Sequence, residues 1–279
     1  MLIWLIYFSL EHLKGWNKVR VKTFEDLAQA ELFISMAGQK LAVSIYLIDG
    51  LLIDTGPAKK KMELIPLFEQ WVIEEVVLTH HHEDHTGMAS WIEKSKNIPI
   101  YIHETGIEYC EEVMKLPFYR KVFWGERKPF QPLALTPLFK TPNYKWNVIH
   151  TPGHAHDHIA LYNREKKWMF GGDLFVQSNP KSIFAFESIP TIIDSLIKIL
   201  AYDFQTYFCA HQGIIVNGRQ AIEKKLAYLI NVQKKVLTLH QQGMSSNKIR
   251  KELFPKKHPM HYISLFENSP KHIINSILK

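Results

Sequence analysis

Cysteine is nearly absent: the 279 residues include two, Cys110 and Cys209, far apart in the chain. That excludes a disulfide framework and the Cys-rich structural zinc sites. Two buried free thiols in a reducing, cytoplasmic compartment are the expectation. Long hydrophobic runs are also missing. The most apolar stretch, residues 1–10 (MLIWLIYFSL), is about half the ~20 residues needed to span a bilayer. It lacks the basic flank and small-residue cleavage site of a signal peptide, so it is expected to form a first β-strand. No internal repeat and no low-complexity segment interrupts the chain. Nothing in it resembles the aromatic–basic interleaving of an RNA-binding sheet. Charge is modest, with 34 Lys+Arg against 27 Asp+Glu for a net +7. The lysine runs at 59–61 and 256–257 read as solvated surface, with attraction of anionic partners as the less favoured reading. At 46% hydrophobic and 22% charged, the chain is not a disordered one.

What the sequence does hold is histidine, 15 of them. Histidine without cysteine points to imidazole chemistry or to metal sites built of nitrogen and oxygen donors. The first half reads as strands. Residues 40–54 form two apolar runs around Asp49-Gly50, a hairpin signal. Residues 61–71 have helical spacing, 76–79 form a short buried strand, 86–94 a helix and 98–103 another strand. Residues 104–147 crowd aromatics among prolines and read as an insertion rather than a regular layer. Strand signals return at 146–150, 158–163, 168–172 and 206–210, with a helix at 189–201. From Ala221 the chain is helical, with Ile222, Leu226, Leu229, Val236 and Leu237 as its apolar stripe. Gly243 is expected to end that helix, Ser246 to cap a second one reaching Leu253, and Ser269-Pro270 to start a last one. The expected organisation is a catalytic domain over 1–220 and a helical region over 221–279.

Several apolar strands run into the same kind of residue. They lead into Asp54, into the segment His80-His81-His82-Glu83-Asp84-His85, and into His154, Asp173 and His211. Strand ends on one edge of a sheet converge in space, and a rigid edge can hold donors to the tolerance a metal demands. His80 and His82 are two apart, so an extended backbone points both the same way. Two imidazoles cannot complete a four-coordinate site, so distant ligands are required, and His154, Asp173 and His211 are placed to supply them. Seven donors suffice for two zinc-like ions sharing a bridge. His81, His103, His150, His156 and His158 are left outside this set, at most lining its surroundings.

THHHEDHTG at 79–87, TPGHAHDH at 151–158, GGD at 171–173 and CAH at 209–211 resemble the metallo-β-lactamase superfamily, and within it the glyoxalase II-like hydrolases. The resemblance covers about residues 40–220. It implies an α/β fold, an αββα sandwich of two mixed sheets, here with a small C-terminal helical region. It also implies that His80, His82 and His154 hold one metal and Asp84, His85 and His211 the other, with Asp173 bridging. Asp54, in LLIDTG, matches an aspartate that supports the ligands. The cofactors implied are two divalent ions, Zn2+ first, with iron or manganese as alternatives.

The activity expected is hydrolysis of a small ester, thioester or lactone by a metal-bridging hydroxide, with Asp84 or Asp173 moving the proton. Phe118, Tyr119, Phe123 and Trp124 are candidates for the pocket wall. Alternatives are a metal-dependent endonuclease of single-stranded RNA, supported by the +7 charge, and a mononuclear-iron sulfur dioxygenase. A regulator with a helix-turn-helix tail is a weaker one. The partner expected is a small-molecule substrate, with nucleic acid not favoured, no membrane, and a homodimer left open.

Overall fold

A computed structural model describes residues 19–36, 39–256 and 259–279. The strand expected at residues 1–10 lies outside the described residues. Four antiparallel strands open the fold: β1 (Val19–Phe24), β2 (Leu27–Met36), β3 (Gln39–Ile48) and β4 (Leu51–Ile53). The β3–β4 turn is the expected hairpin, with Asp49 and Gly50 both at positive φ (52° and 78°), as a two-residue hairpin turn requires. Helix α1 (Lys61–Gln70) crosses to β5 (Glu75–Val77), and the short α2 (Glu83–Thr86) and α3 (Ala89–Lys96) lead to β6 (Ile100–Ile102). Strands β4, β5 and β6 run parallel.

The segment read as an irregular insertion extends both sheets. After α4 (Ile107–Glu111) and α5 (Phe118–Trp124), β7 (Leu133–Ala134) pairs parallel with β6 and completes a seven-stranded sheet. β8 (Leu138–Lys140) pairs with β9 (Lys145–His150) at the edge of the second sheet. Strands of two and three residues flanked by proline carry no readable alternation, which is why the sequence conceals them.

The second sheet has six strands in the order β14-β13-β11-β10-β9-β8, with β10 (Ile159–Asn163), β11 (Trp168–Phe170), β13 (Thr206–Cys209) and β14 (Gly213–Ile215). Only its β11–β13 pairing is parallel. Between β11 and β13 lie β12 (Ile183–Phe184) and α6 (Ile189–Leu200). The chain ends with α7 (Gly218–Gln241), α8 (Ser246–Leu253), α9 (Pro259–Ile263), β15 (Asn268–Ser269) and α10 (Pro270–Leu278). Ser269 accepts from the Lys271 N–H and Pro270 sits in the first turn, as expected of that last helix. At α8 the cap position is Ser245 rather than Ser246.

Side-chain parity separates the layers. Leu51, Ile53, Ile159, Leu161, Trp168, Phe170 and Phe208 point between the sheets. Their neighbours Leu52 and Val76 face α1 and α3 on one outside. Ala160, Met169, Tyr207 and Cys209 face α6, α7, α8 and α10 on the other. Strands buried on both faces read as continuous apolar runs, and the period of two decides which residue serves which layer. The result is the αββα sandwich. Residue 220 falls in the first turn of α7, and Ile222, Leu229, Ile273 and Ile274 share one core with α6 and the second sheet. Both cysteines are buried and free. No helix among the described residues is long and apolar enough to cross a membrane.

Phe170 stacks on Phe208 at 4.2 Å between ring centres in the intersheet core. Phe170→Ala should cost about 3–5 kcal/mol of folding stability, measured by urea unfolding. A loss under about 1 kcal/mol would show that this layer does not hold the sheets together.

Candidate metal centre

The expected ligands come from strand ends of both sheets and meet in one place. His80, His82 and His154 bring three imidazole nitrogens together: His82 Nδ1 lies 3.0 Å from His80 Nε2 and 3.1 Å from His154 Nε2. Asp84, His85, Asp173 and His211 form a second group. His85 Nε2 is 3.6 Å from Asp84 and 3.5 Å from Asp173 Oδ1, and His211 Nε2 is 3.4 Å from Asp84 and 3.1 Å from Asp173 Oδ2. Asp173 joins the groups, since its Oδ2 is also 3.4 Å from His154 Nε2.

The partners on the far side of each ring decide what those nitrogens can do. His211 Nδ1 is 2.7 Å from the Ala42 carbonyl oxygen, which can only accept, so Nδ1 carries the hydrogen. His85 Nδ1 donates to Asp54 Oδ2 at 2.8 Å, and His154 Nδ1 donates to Glu187 Oε1 at 2.8 Å. The Thr79 hydroxyl gives its hydrogen to Asp54 and so accepts from His80 Nδ1 at 3.1 Å. In the neutral rings of His80, His85, His154 and His211 the inward nitrogen is therefore left with a lone pair. In one group the lone pairs of His80 and His154 both converge on His82 Nδ1, which has at most one hydrogen for the two of them. In the other, lone pairs face carboxylate oxygens, and His85 Nε2 and Asp173 Oδ1 are buried without any hydrogen-bond partner. Lone pair against lone pair is repulsive, and a proton or a bound cation among the donors relieves it. The nitrogen spacings are close to the roughly 3.3 Å edge that zinc–nitrogen bonds of 2.0–2.1 Å impose on a tetrahedron. The donors fit divalent ions.

Protonation follows the same division. Burial, reinforced by neighbouring imidazoles, holds His80 and His82 well below the ordinary histidine range. At His85 and His211 burial also opposes charge, but the nearby aspartates outweigh it and raise both. Burial likewise opposes ionisation of Asp173, yet His211 and His85 hold it well below the usual carboxylate range.

Local structure explains the placement. β5 ends at Val77, the chain bends through residues 79–81, and His82, with extended backbone (φ −61°, ψ 150°), precedes α2. Asp54 follows β4 at φ 60° and receives the Thr79 N–H at 2.8 Å. Gly172 has φ 44°, and a Cβ there would lie 2.8 Å from His158 Nε2 and 2.9 Å from Thr79 Oγ1, so the turn before Asp173 admits only glycine. His158 accepts the Asp173 N–H at 3.1 Å. Burial, with His154 nearby, pushes it down to about 3, which keeps it neutral and able to accept.

The centre opens on a cavity of about 380 Å³, within the size range of small-molecule sites. Tyr119, Phe123 and Trp124 line it. Phe118 does not: it is 80% exposed and points to solvent, because α5 presents its other face to Ile34 and Met260. The C-terminal region, read from sequence only as packed helices, contributes Lys225, Leu229, Met260 and Asn268 to the wall. Two contacts escaped the sequence reading. Glu187, which orients His154, sits on an irregular stretch with no motif. Glu83, buried inside the histidine motif, takes two hydrogen bonds from Arg120 of α5 at 2.6 and 2.7 Å. That pair ties the cavity wall to the ligand loop. A third group, His81, His156 and Asp157, lies beside the centre, with His81 Nδ1 at 2.7 Å from Asp157.

Residues 38–211 match the model of the metallo-beta-lactamase superfamily. The chain belongs to that superfamily. It is 28% identical over 180 residues to the lactamase-like protein notP of an Aspergillus species, covering 64% of this chain and half of that relative. It is 27% identical over 261 residues to the probable metallo-hydrolase YqjP of Bacillus subtilis, covering 76% and 81%. A hydroxyacylglutathione hydrolase of Xylella fastidiosa is 28% identical over 178 residues, covering 63% of this chain and 57% of its own. Among solved structures, a metallo-beta-lactamase family protein of Thermus thermophilus superposes with a TM-score of 0.66 at 19% identity, over 91% of both chains. All seven expected ligands fall within the matched segment.

Glu187→Ala should weaken metal binding about 10- to 100-fold by freeing the His154 ring, measured by competition with a chromogenic chelator. Unchanged affinity would mean that packing alone orients His154.

Proposed function

We propose that this chain is a dinuclear metal-dependent hydrolase of a small ester, thioester or lactone. The observation that carries the reading is the pair of adjacent donor groups, their outer ring nitrogens held by Asp54, Glu187 and the Ala42 carbonyl, that share Asp173. His80, His82 and His154 would hold one ion, and Asp84, His85 and His211 the other, with Asp173 between them. Zinc suits this mixture of imidazole and carboxylate, and both donor groups being complete supports two ions rather than the single iron of a dioxygenase. When bound, such ions supply Lewis acidity and bring the pKa of a water to about 7.

The protein's own groups do the rest. Asp84 lines the cavity and is placed to take a proton from the attacking water and pass it to the leaving oxygen or sulfur. Asp54, Glu187 and the Ala42 carbonyl fix the rings, so no reorganisation is needed as charge develops. Tyr119, Phe123 and Trp124 on one side, and Phe184 and Phe186 on the other, form an apolar wall for an acyl group. No serine or cysteine nucleophile is required. The likeness to proteins named hydroxyacylglutathione hydrolase and metallo-hydrolase supports the same class.

Two divalent ions per chain are expected by native mass spectrometry, with turnover of at least one substrate in a panel of esters, thioesters, lactones and phosphodiesters. Asp173→Ala should lower turnover at least a hundredfold and reduce metal content. Full activity in a metal-free preparation would overturn the reading. Cleavage confined to single-stranded RNA would move it to the nuclease alternative.

A further inference from the structure

Beside the seven ligands, the same loops carry a second kind of cluster: two more histidines and a buried carboxylate. Asp157 is fully buried, and its Oδ1 lies 2.7 Å from His81 Nδ1. His81 is its only ion-pair partner among the described residues. The other oxygen, Oδ2, is buried with no hydrogen-bond partner. It packs against Gly106, where a Cβ would lie 2.4 Å away. The carboxylate is thus met from one side, and there by an imidazole rather than a lysine or arginine. Burying an ionised carboxylate without a full counter-charge is costly.

His156 completes the cluster. One donor atom from each of His81, His156 and Asp157 lies within 4.8 Å of the others. His156 is exposed, and its Nε2 is 3.0 Å from the Thr105 carbonyl oxygen. A carbonyl can only accept, so Nε2 carries the hydrogen and Nδ1 of the neutral ring keeps a lone pair. The two rings are 5.2 Å apart, and both lie against Tyr109, at 4.6 and 4.7 Å between centres. His150 steadies the same turn by donating its Nε2–H to the His156 carbonyl at 2.7 Å. These contacts hold the donors in place before any ion arrives. None of the three lines the cavity.

Their places in the chain matter as much as their chemistry. His81 sits between the ligands His80 and His82, and His156 and Asp157 follow the ligand His154 by two and three positions. One ion held here would join the loop after β5 to the loop after β9, the two loops that supply the three-histidine group.

We propose that His81, His156 and Asp157 bind a further divalent ion of the zinc type, separate from the dinuclear centre, which clips the two ligand loops together. Two imidazoles and one carboxylate suit zinc, with water in the open position. Asp157 supplies charge, the histidines supply neutral donors, and His156 at the surface gives the ion a way in. Three protein donors, one of them exposed, hold an ion less tightly than the shared set of the centre, so this ion is added last, at free zinc above what fills the centre. Its role is structural, and it does not depend on the hydrolase reading.

The test counts zinc in the full chain. Wild type, His156→Ala and Asp157→Asn are dialysed to equilibrium against the same excess of buffered free zinc, and bound metal is read by plasma mass spectrometry. Wild type should hold one equivalent more than either variant, and its last calorimetric step should weaken at least tenfold in His156→Ala. That substitution changes an exposed side chain, so its circular dichroism should match wild type. In crystals soaked in excess zinc, an anomalous peak should lie among His81, His156 and Asp157 and vanish in His156→Ala. Equal zinc content in wild type and His156→Ala, or no peak at this place, overturns the proposal. An extra equivalent that survives both substitutions sits elsewhere on the surface and overturns it as well. Because the readout is a difference between chains, it is the same whether the neighbouring centre holds one ion or two.

Discussion

Packing five imidazoles and two carboxylates within a few ångströms of one another carries an electrostatic penalty that the few hydrogen bonds inside the group only partly offset. The outward ring nitrogens of His80, His85, His154 and His211 are engaged by Thr79, Asp54, Glu187 and the Ala42 carbonyl. While those rings are neutral, their inward nitrogens can only accept. A proton can relieve this at His85 and His211, which the aspartates hold in a raised range despite burial. Burial and neighbouring imidazoles disfavour added protons at His80 and His82, and the single hydrogen that the neutral His82 ring can place on Nδ1 cannot satisfy both His80 Nε2 and His154 Nε2. Cations bound among the donors would resolve both situations at once, which is why the arrangement suits metal.

The fold exists around that constraint. Two sheets buried on both faces bring the ends of β4, β5, β9, β11 and β13 to one side of the sandwich, so each ligand follows a strand held by its neighbours. The Gly171-Gly172 turn lets Asp173 approach His158 and Thr79, and α5 is fastened to the ligand loop through Arg120 and Glu83. Helix α7 closes the outer face of the second sheet and carries Lys225 and Leu229 into the cavity. The same helix thus completes a core and shapes a binding site. This coupling makes the chain after residue 220 part of the cavity wall.

Much of this is legible in the sequence. Strands buried on two faces appear as apolar runs, and the ligands announce themselves because coordination demands fixed spacing, as in His80, His82, Asp84 and His85. What stayed hidden depends on contacts between residues far apart in sequence. Glu187 reaches His154 across 33 positions, and Arg120 reaches Glu83 across 37. Neither lies in a segment whose local pattern betrays its partner. Phe118 stands among aromatic neighbours in the sequence, yet a helix turns successive residues to different faces, and of these aromatics Tyr119, Phe123 and Trp124 reach the cavity. The strands β7 and β8 are too short to show alternation, so the edges of both sheets were invisible while their centres were plain.

The central claim is that two ions occupy this centre and share Asp173. Anomalous diffraction from crystals of zinc-loaded protein, recorded on both sides of the zinc edge, tests it most directly. The account predicts two strong peaks about 3.5–4 Å apart, one among His80, His82 and His154 and the other among Asp84, His85 and His211, with the Asp173 carboxylate between them. A single peak, or peaks that leave either histidine group without an ion, would contradict it.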